Sequence, residues 1–216
     1  MTPLIFWDED TQHDFMDPDG KLYVRGAEKI IPNLERLTRC ARECGVPIVA
    51  VMDDHTDADA EISAQPDFHT TFPPHCMRGT RGQERIAATA FANPLYLESR
   101  AYTRTELEAQ VRAHRGEIVI KKQTLDPFSN PAAAPILEQL DPQLIVVYGV
   151  ATDFCVHQAI IGLTDRKRRV WWVQDASQPI DAASAQRCEA EWRQRGVRFI
   201  STADVVQAVE SAKLQA

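Results

Sequence analysis

The sequence predicts an α/β fold: a doubly wound, mostly parallel sheet of six strands with helices on both faces, as in Rossmann-like proteins. Strand-like and helix-like patterns alternate along the whole chain, which is typical of repeated β-α units. The run Val46–Met52 is continuously apolar, as expected for a strand buried on both faces. Several helical patterns end at a glycine, which provides a stop signal.

Each predicted strand is a short apolar run next to turn residues or a helical pattern. In chain order, the predicted strands are Leu4–Trp7, Val46–Met52, Glu117–Lys121, Leu144–Tyr148, Val170–Val173 and Val197–Ile200. The long segment 53–83 is polar, has little periodicity and is predicted to be a loop.

Apolar residues at helical spacing predict the intervening helices. The first runs from Ile31 to Cys44 and ends before Gly45, and the second covers Thr105–His114, with Glu108 placed for a capping box and Gly116 beyond its end. The remaining helices are predicted at Pro131–Leu140, Asp153–Leu163, Ala182–Arg195 and Ala203–Leu214.

The 216 residues are 44% hydrophobic and 25% charged, which predicts a single domain over 1–216 with a sizeable core. A net charge of −7 argues against a nucleic-acid or anionic-membrane partner. The sequence contains neither a membrane-spanning apolar run nor a signal-peptide pattern. Five cysteines, with no Cys-x-x-Cys pair, argue against a disulfide framework or a zinc knuckle and favour a cytoplasmic setting.

Polar residues follow four of the predicted strands, and ligands bind at the carboxyl ends of strands in such sheets. Asp10 follows the first strand, Asp53 and His55 the second, Lys122 the third, and Cys155 the fourth. The fold therefore predicts that these five residues share one edge of the sheet.

Asp10, Lys122 and Cys155 form a chemically sensible group. A carboxylate near a thiol can take its proton and later return it to a leaving amine, and a lysine stabilises both anions. Cys155 lies where a helix begins after a buried strand, and free N–H groups there lower a thiol pKa and can hold an oxyanion. The alternative is a buried cysteine at an ordinary strand-to-helix turn.

Asp53-x-His55 at a strand end can supply two ligands to a divalent metal, and His75 from the following loop could supply a third. Glu61, Asp59 or water would complete the coordination. The alternative is a polar loop whose histidines are incidental.

These motifs together resemble the isochorismatase-like cysteine hydrolase superfamily, and within it most closely the nicotinamidases and pyrazinamidases. The similar segments are Asp10–Phe15, Lys122–Phe128, His75–Thr80 and Gly149–Val156, the last of which resembles the family's nucleophile segment almost residue for residue. The resemblance implies that Asp10 is the general base, Lys122 the catalytic lysine and Cys155 the nucleophile.

The resemblance also implies a cis peptide between Val150 and Ala151, with the amides of Ala151 and Cys155 as the oxyanion hole. It implies a metal at Asp53, His55 and His75 that holds a pyridine nitrogen or a bound water. Zinc, iron and manganese all suit such ligands. Phe15 and Phe72 fall where the family places aromatic residues around the substrate ring; the alternative for both is core packing.

The chain departs from the family pattern at several places, two of them in the candidate site. Many nicotinamidases have a second histidine where this chain has Glu61, and a tryptophan is common where it has Phe72. The implied function is hydrolysis of a small aromatic or heteroaromatic carboxamide, with nicotinamide as the leading substrate, through a thioester. Relatives of this kind form homo-oligomers, which implies self-association.

Three alternatives remain. The same triad without a metal could hydrolyse an N-carbamoyl or ureido acid, or an isochorismate-like ether. A non-catalytic binding protein could retain the pocket. A dinucleotide-dependent dehydrogenase is disfavoured, because no G-x-G-x-x-G follows the first strand.

Overall fold

A computed structural model of the protein describes residues 4–213. Seven strands form one parallel sheet: β1 (Leu4–Glu9), β2 (Ile48–Asp53), β3 (Leu95–Leu97), β4 (Ile118–Lys122), β5 (Leu144–Val150), β6 (Val170–Gln178) and β7 (Arg198–Ile200). Their order across the sheet is β3-β4-β2-β1-β5-β6-β7, and all six neighbouring pairs are parallel.

Helices cover both faces of this sheet. They are α1 (His13–Met16), α2 (Ile31–Cys44), α3 (Arg104–Ala113), α4 (Ala133–Leu140), α5 (Cys155–Asp165), α6 (Ala182–Gln194) and α7 (Thr202–Lys213). One apolar core layer contains residues of α3 to α6, and the other contains residues of α1, α2 and α7. The doubly wound α/β prediction is therefore confirmed.

The sheet has seven strands and not the predicted six. The additional strand, β3, is only three residues long and lies at the edge of the sheet beside β4. A three-residue run gives too weak a periodic signal to separate it from the surrounding loop.

The helices lie close to their predicted bounds, although the predicted end of the last helix, Leu214, lies outside the described residues. The predicted capping of α3 is wrong. Thr103, not Thr105, precedes the helix, and its side chain accepts a hydrogen bond from the Glu106 backbone N–H at 3.1 Å. Glu108 instead forms an exposed ion pair with Arg104, one turn earlier in the same helix.

Two glycines permit close approaches near the carboxyl edge of the sheet. A Cβ on Gly149 would lie 2.0 Å from the Glu9 carbonyl oxygen, so β5 can lie against β1 here only with a glycine. A Cβ on Gly82 would lie 2.1 Å from an Asp14 carboxylate oxygen. These contacts bring the loops after β1, β2 and β5 together.

No helix within residues 4–213 is long and apolar enough to span a membrane.

Candidate active site

Asp10, Lys122 and Cys155 meet at the carboxyl edge of the sheet, as the sequence predicts. The Lys122 Nζ lies 2.8 Å from Asp10 Oδ2 and donates a hydrogen bond to Cys155 Sγ at 3.5 Å. Both charged side chains are completely buried, and Cys155 is 5% exposed. A base, a cation and a thiol are thus within reach of one another in a site largely closed to water.

A second carboxylate, that of Asp53, completes the surroundings of Lys122. Asp53 and Lys122 are paired residues of β2 and β4, and the Lys122 Nζ donates to Asp53 Oδ1. Burial alone would lower the pKa of Lys122, but the carboxylates of Asp10 and Asp53 raise it well above its ordinary value. Lys122 is therefore a permanent cation.

Asp10 is aimed into the site by the backbone that follows β1. Its φ of +49° turns the chain out of the strand direction, and its N–H donates to the Val51 carbonyl at 3.2 Å. Burial raises the pKa of Asp10 from 3.8 to about 6, although Lys122 acts in the opposite direction. A carboxyl group with such a pKa can both take and return a proton near neutral pH.

Cys155 is the first residue of α5, directly after the loop that leaves β5. The peptide between Val150 and Ala151 is cis, as the resemblance implies. The Ala151 carbonyl accepts from the N–H groups of Phe154 and Val156, which fixes the tight turn that presents the thiol.

The expectation that this position lowers the thiol pKa is wrong for the free site. Burial raises the pKa of Cys155 well above its ordinary value, and the carboxylates of Asp10 and Asp53 add to this effect against Lys122. The resting sulfur is consequently a thiol. Its proton must leave as the nucleophile attacks, which makes a neighbouring base necessary.

Gln12 holds Asp53 in place, a role that the sequence did not indicate. Its side-chain Nε2 donates to the Asp53 carbonyl at 2.9 Å, and its Oε1 accepts from the Asp53 N–H at 2.8 Å. Asp14 similarly accepts from the Cys76 N–H at 2.7 Å and so fixes the backbone beside His75. Both residues lie in the Asp10–Phe15 segment, so the resemblance of that segment to the family is the sequence signal that could have identified them.

The three predicted metal ligands come together. Asp53, His55 and His75 are buried, and one ligand atom from each lies within 4.8 Å of the others. His75 Nε2 is 3.4 Å and His55 Nε2 is 3.6 Å from Asp53 Oδ2.

The donor set fits a divalent ion. Both ring nitrogens of His55 are buried and have no hydrogen-bond partner among the described residues, which is costly unless a ligand satisfies one of them. His75 Nδ1 donates to the Pro73 carbonyl at 2.8 Å, which leaves Nε2 free to coordinate.

The two candidates for a further ligand have different positions. Asp59 Oδ2 accepts from the Thr56 N–H at 2.6 Å and lies 3.9 Å from His55 Nδ1, on the side of the ring away from Asp53. Glu61 is buried and faces the same pocket as Asp53 and His75, but is not part of the three-residue group. Burial and the charge of Asp53 raise the pKa of Glu61 to about 7.

A narrow pocket opens onto Cys155. Phe15 and Phe72 line it, as predicted, and both pack edge-on against the His75 ring. The sequence analysis did not assign the other apolar residues of the wall to the pocket. Leu125 and Phe154 lie in the Lys122–Phe128 and Gly149–Val156 segments, whereas Leu22, Val24 and Ile180 come from loops with no motif. The arrangement can hold a small flat ring with its reactive carbon at the thiol.

Comparison with known proteins agrees with this geometry. The family model described as the isochorismatase domain matches residues 3–204. The nicotinamidase of Acinetobacter baylyi is 26% identical in an alignment 214 positions long, which covers 91% of this chain and 92% of that protein.

Solved structures share the fold. A pyrazinamidase of Pyrococcus horikoshii in complex with zinc has a TM-score of 0.72 and 24% identity, covering 92% of this chain and 98% of its own. A nicotinamidase/pyrazinamidase of Acinetobacter baumannii has a TM-score of 0.74 and 19% identity, covering 95% and 99%. An N-carbamoylsarcosine amidase of Thermoplasma acidophilum has a TM-score of 0.68 and 22% identity, covering 94% and 97%.

Proposed function

Because this chain belongs to the isochorismatase family, we propose that it is a cysteine amidohydrolase that cleaves a small heteroaromatic carboxamide, with nicotinamide as the substrate, to the acid and ammonia. The observation that carries the proposal is the contact of Lys122 with both Asp10 and Cys155 at the base of an aromatic-lined pocket. The proposal assigns catalysis to these three residues.

The first half of the reaction forms a thioester. Asp10 takes the Cys155 proton as the sulfur attacks the carboxamide carbon, and the carbonyl π electrons move to oxygen. The backbone N–H groups of Ala151 and Cys155 donate to that oxyanion. The C–N bond then breaks, and Asp10 gives its proton to the departing nitrogen, which leaves as ammonia.

The second half regenerates the thiol. Asp10, again a carboxylate, takes a proton from a water molecule as that water attacks the thioester carbon. The C–S bond breaks, the acid is released and the proton on Asp10 returns to Cys155. Lys122 compensates the negative charge on the carboxylate and the sulfur throughout.

Asp53, His55 and His75 would hold one divalent ion. When bound, this ion supplies a Lewis-acidic contact for a ring nitrogen or a water beside it. Zinc, iron and manganese are all compatible with two imidazoles and a carboxylate. Phe15 and Phe72 would pack against the faces and edges of the substrate ring.

The pocket lining favours a neutral aromatic amide over a ureido acid. The described residues that line the pocket include no lysine or arginine, whereas Asp53 and Glu61 contribute two carboxyl groups. Without a bound ion, as in the ureido-acid alternative, a substrate with its own carboxylate would be desolvated there without a cationic partner in the wall, which is unfavourable.

The test is ammonia release from nicotinamide, pyrazinamide and a panel of N-carbamoyl amino acids by the wild-type protein and by Cys155→Ala. We expect turnover of the two heteroaromatic amides and none with the variant. Turnover of the carbamoyl compounds alone would replace the proposal with ureido hydrolysis. No ammonia from any substrate would favour a binding protein.

Elemental analysis of the purified protein tests the metal site. We expect one divalent ion per chain and its loss in His55→Ala. Because the ion serves substrate binding, stripping it should raise KM for nicotinamide far more than it slows alkylation of Cys155. A metal-free wild-type protein with full nicotinamidase activity would contradict the site.

The proposal also places the protein in the cytoplasm as a homo-oligomer. All five cysteines are unpaired, which suits a reducing compartment. Cell fractionation and sedimentation velocity would check these two points.

A further inference from the structure

Ile180 is the one exposed residue among the described residues that line the pocket above Cys155. It is 52% exposed, whereas the other lining residues are buried or half-buried. Ile180 lies in the loop between β6 and α6, where one side of its side chain forms pocket wall and the other side faces solvent. The residue therefore stands at the mouth of the pocket, beside the route that a substrate takes to the thiol.

The loop that carries Ile180 is attached to the turn that presents the thiol. The carboxylate of Asp153, in that turn, accepts from the Ile180 N–H at 2.9 Å and from the Asp181 N–H at 3.0 Å. The Thr152 N–H, also in the turn, donates to the Gln178 carbonyl at 3.0 Å, where the loop begins. These three hydrogen bonds fix the position of Ile180 relative to the reacting sulfur, so Ile180 is a rigid part of the wall and not a mobile flap.

The mouth of the pocket is apolar, and the ionisable groups lie deeper. Beside Ile180, the mouth is bordered by the half-buried side chains of Leu22, Leu125 and Phe154. The ionisable residues that line the pocket are all buried, at most 6% exposed. The side chains of the mouth therefore distinguish substrates by size and apolar contact, and they offer no partner to a charged or hydrogen-bonding substituent.

We propose that Ile180 determines the size of substrate that the site accepts, by closing the mouth over a single six-membered ring and excluding amides with a fused second ring. This inference rests on the proposed amidohydrolase function. Much of the inner wall belongs to an apolar core layer, whose close-packed side chains cannot move aside for a larger ring. Within residues 4–213, Ile180 belongs to neither core layer, so shortening its side chain enlarges the mouth without disturbing the core.

Two benzo-fused nicotinamides, a quinoline and an isoquinoline, keep the carboxamide meta to the ring nitrogen and extend the ring in different directions. The experiment compares them with nicotinamide, using the metal-loaded enzyme. We expect the wild-type protein to cleave nicotinamide with a kcat/KM at least about 10-fold above that of either bicyclic amide, because the added ring meets either the core wall or Ile180. A wild-type kcat/KM for either bicyclic amide equal to that for nicotinamide would overturn the inference.

Three variants assign the exclusion to Ile180. Ile180→Ala should raise the kcat/KM of one bicyclic amide relative to nicotinamide by roughly 10- to 100-fold, the range for relieving an overpacked apolar contact. Ile180→Val, which shortens the side chain less, should give a smaller increase. Phe68→Ala is the matched control, because Phe68 is 56% exposed but does not line the pocket, and it should keep the wild-type ratio. An unchanged ratio in Ile180→Ala would overturn the inference while leaving the proposed function intact.

Binding measured without turnover separates the inference from the proposed function. Calorimetry with metal-loaded Cys155→Ala should detect nicotinamide but neither bicyclic amide, and the double variant with Ile180→Ala should bind one of the two. This result would support the inference even if the wild-type protein hydrolyses no carboxamide, in which case the proposed function alone fails. Equal affinities of the single and double variants for both bicyclic amides would contradict the role of Ile180.

Discussion

Two buried ion pairs lie near the end of β1, on opposite faces of the sheet, and only one of them belongs to the candidate active site. Asp10 and Lys122 meet on the side covered by α5. Asp8 pairs with Arg85 on the other side. In a regular strand Asp10 would share the face of Asp8, two residues earlier, but its φ of +49° turns it out of the strand direction. All four residues are at most 7% exposed, so burial and charge alone do not distinguish the two sites.

The Asp8 pair is closed and internally satisfied. Thr11 Oγ1 donates to Asp8 Oδ1 at 3.1 Å, and Arg85 donates from Nη1 to the Val51 carbonyl at 3.2 Å and from Nε to Thr89 Oγ1 at 3.4 Å. These contacts join β1 and β2 to the segment that carries Arg85.

The Asp10 cluster has the opposite character. Two carboxylates surround the single Lys122 cation, and its thiol faces an open pocket. The comparison shows that a buried ion pair indicates chemistry when its charges do not balance and one side opens to a ligand. It indicates structure when every donor is used within the protein.

The largest expected effect is on catalysis, in Asp10→Asn. The amide keeps the shape of the carboxylate but cannot shuttle a proton, so kcat should fall about 10²–10⁴-fold. Because Asp53 still pairs with Lys122, the melting temperature should change little. Steady-state kinetics and thermal unfolding of the same preparation check both parts; a kcat near that of the wild type would contradict the general-base role.

The matched change on the other face is Asp8→Asn, for which we expect the reverse. It leaves Arg85 buried without a counter-charge, which should lower the free energy of unfolding by about 3–5 kcal/mol. The kcat of the folded fraction should stay within a few-fold of the wild type. Urea titration monitored by circular dichroism gives the stability, and a kcat loss as large as that of Asp10→Asn would remove the distinction between the two pairs.

A double variant sharpens this result. Asp8→Leu combined with Arg85→Met removes both charges and should recover most of the stability lost in Asp8→Asn, since well-packed apolar residues often replace a buried ion pair without cost. If the double variant is less stable than Asp8→Asn, the hydrogen bonds of Arg85 stabilise the segment that carries it more than charge balance does.

The next largest effect is expected in the pH dependence of kcat/KM. Asp10 must be ionised to act as a base, and burial raises its pKa to about 6, so the ionised fraction falls as the pH drops below that value. We expect kcat/KM to decrease about tenfold per pH unit on the acid side of this limb. The profile should be measured in the wild type and in Glu35→Gln, a distant exposed-carboxylate control, which should keep the same limb. An acid limb near pH 4 in the wild type would contradict the raised pKa.

The smallest effect is expected for Glu9, which lies between the two aspartates in sequence. Burial and the charge of Asp10 raise the pKa of Glu9 well above its ordinary value, which favours the neutral carboxyl group. Its Oε2 accepts from the Trp7 indole N–H at 2.7 Å, a contact that an amide oxygen can keep. Glu9→Gln should therefore change the free energy of unfolding by less than about 1 kcal/mol near pH 7. A loss comparable with that of Asp8→Asn would show that Glu9 is ionised in the folded protein.

The sequence predicted the fold class and the location of the site for one physical reason. Buried parallel strands are continuous apolar runs, and the polar residue after each run must lie at the same edge of the sheet. This rule places Asp10, Asp53, Lys122 and Cys155 together from the sequence alone. It did not predict β3, whose three residues are too few for a periodic signal.

Contacts between distant segments were decided only by the tertiary structure. Three features depend on side chains that folding brings together. The Lys122 ammonium contacts both Asp10 and Asp53, and Gln12 holds Asp53 through two hydrogen bonds. The raised pKa of the Cys155 thiol is the third. The local sequence specifies which ionisable side chain stands at a position, but not which distant side chains surround it. Burial beside those side chains sets its charge state. The sequence thus determined which chemical groups this protein places at one sheet edge, and the tertiary structure decided which of them contact one another, which hold the backbone and which line the pocket.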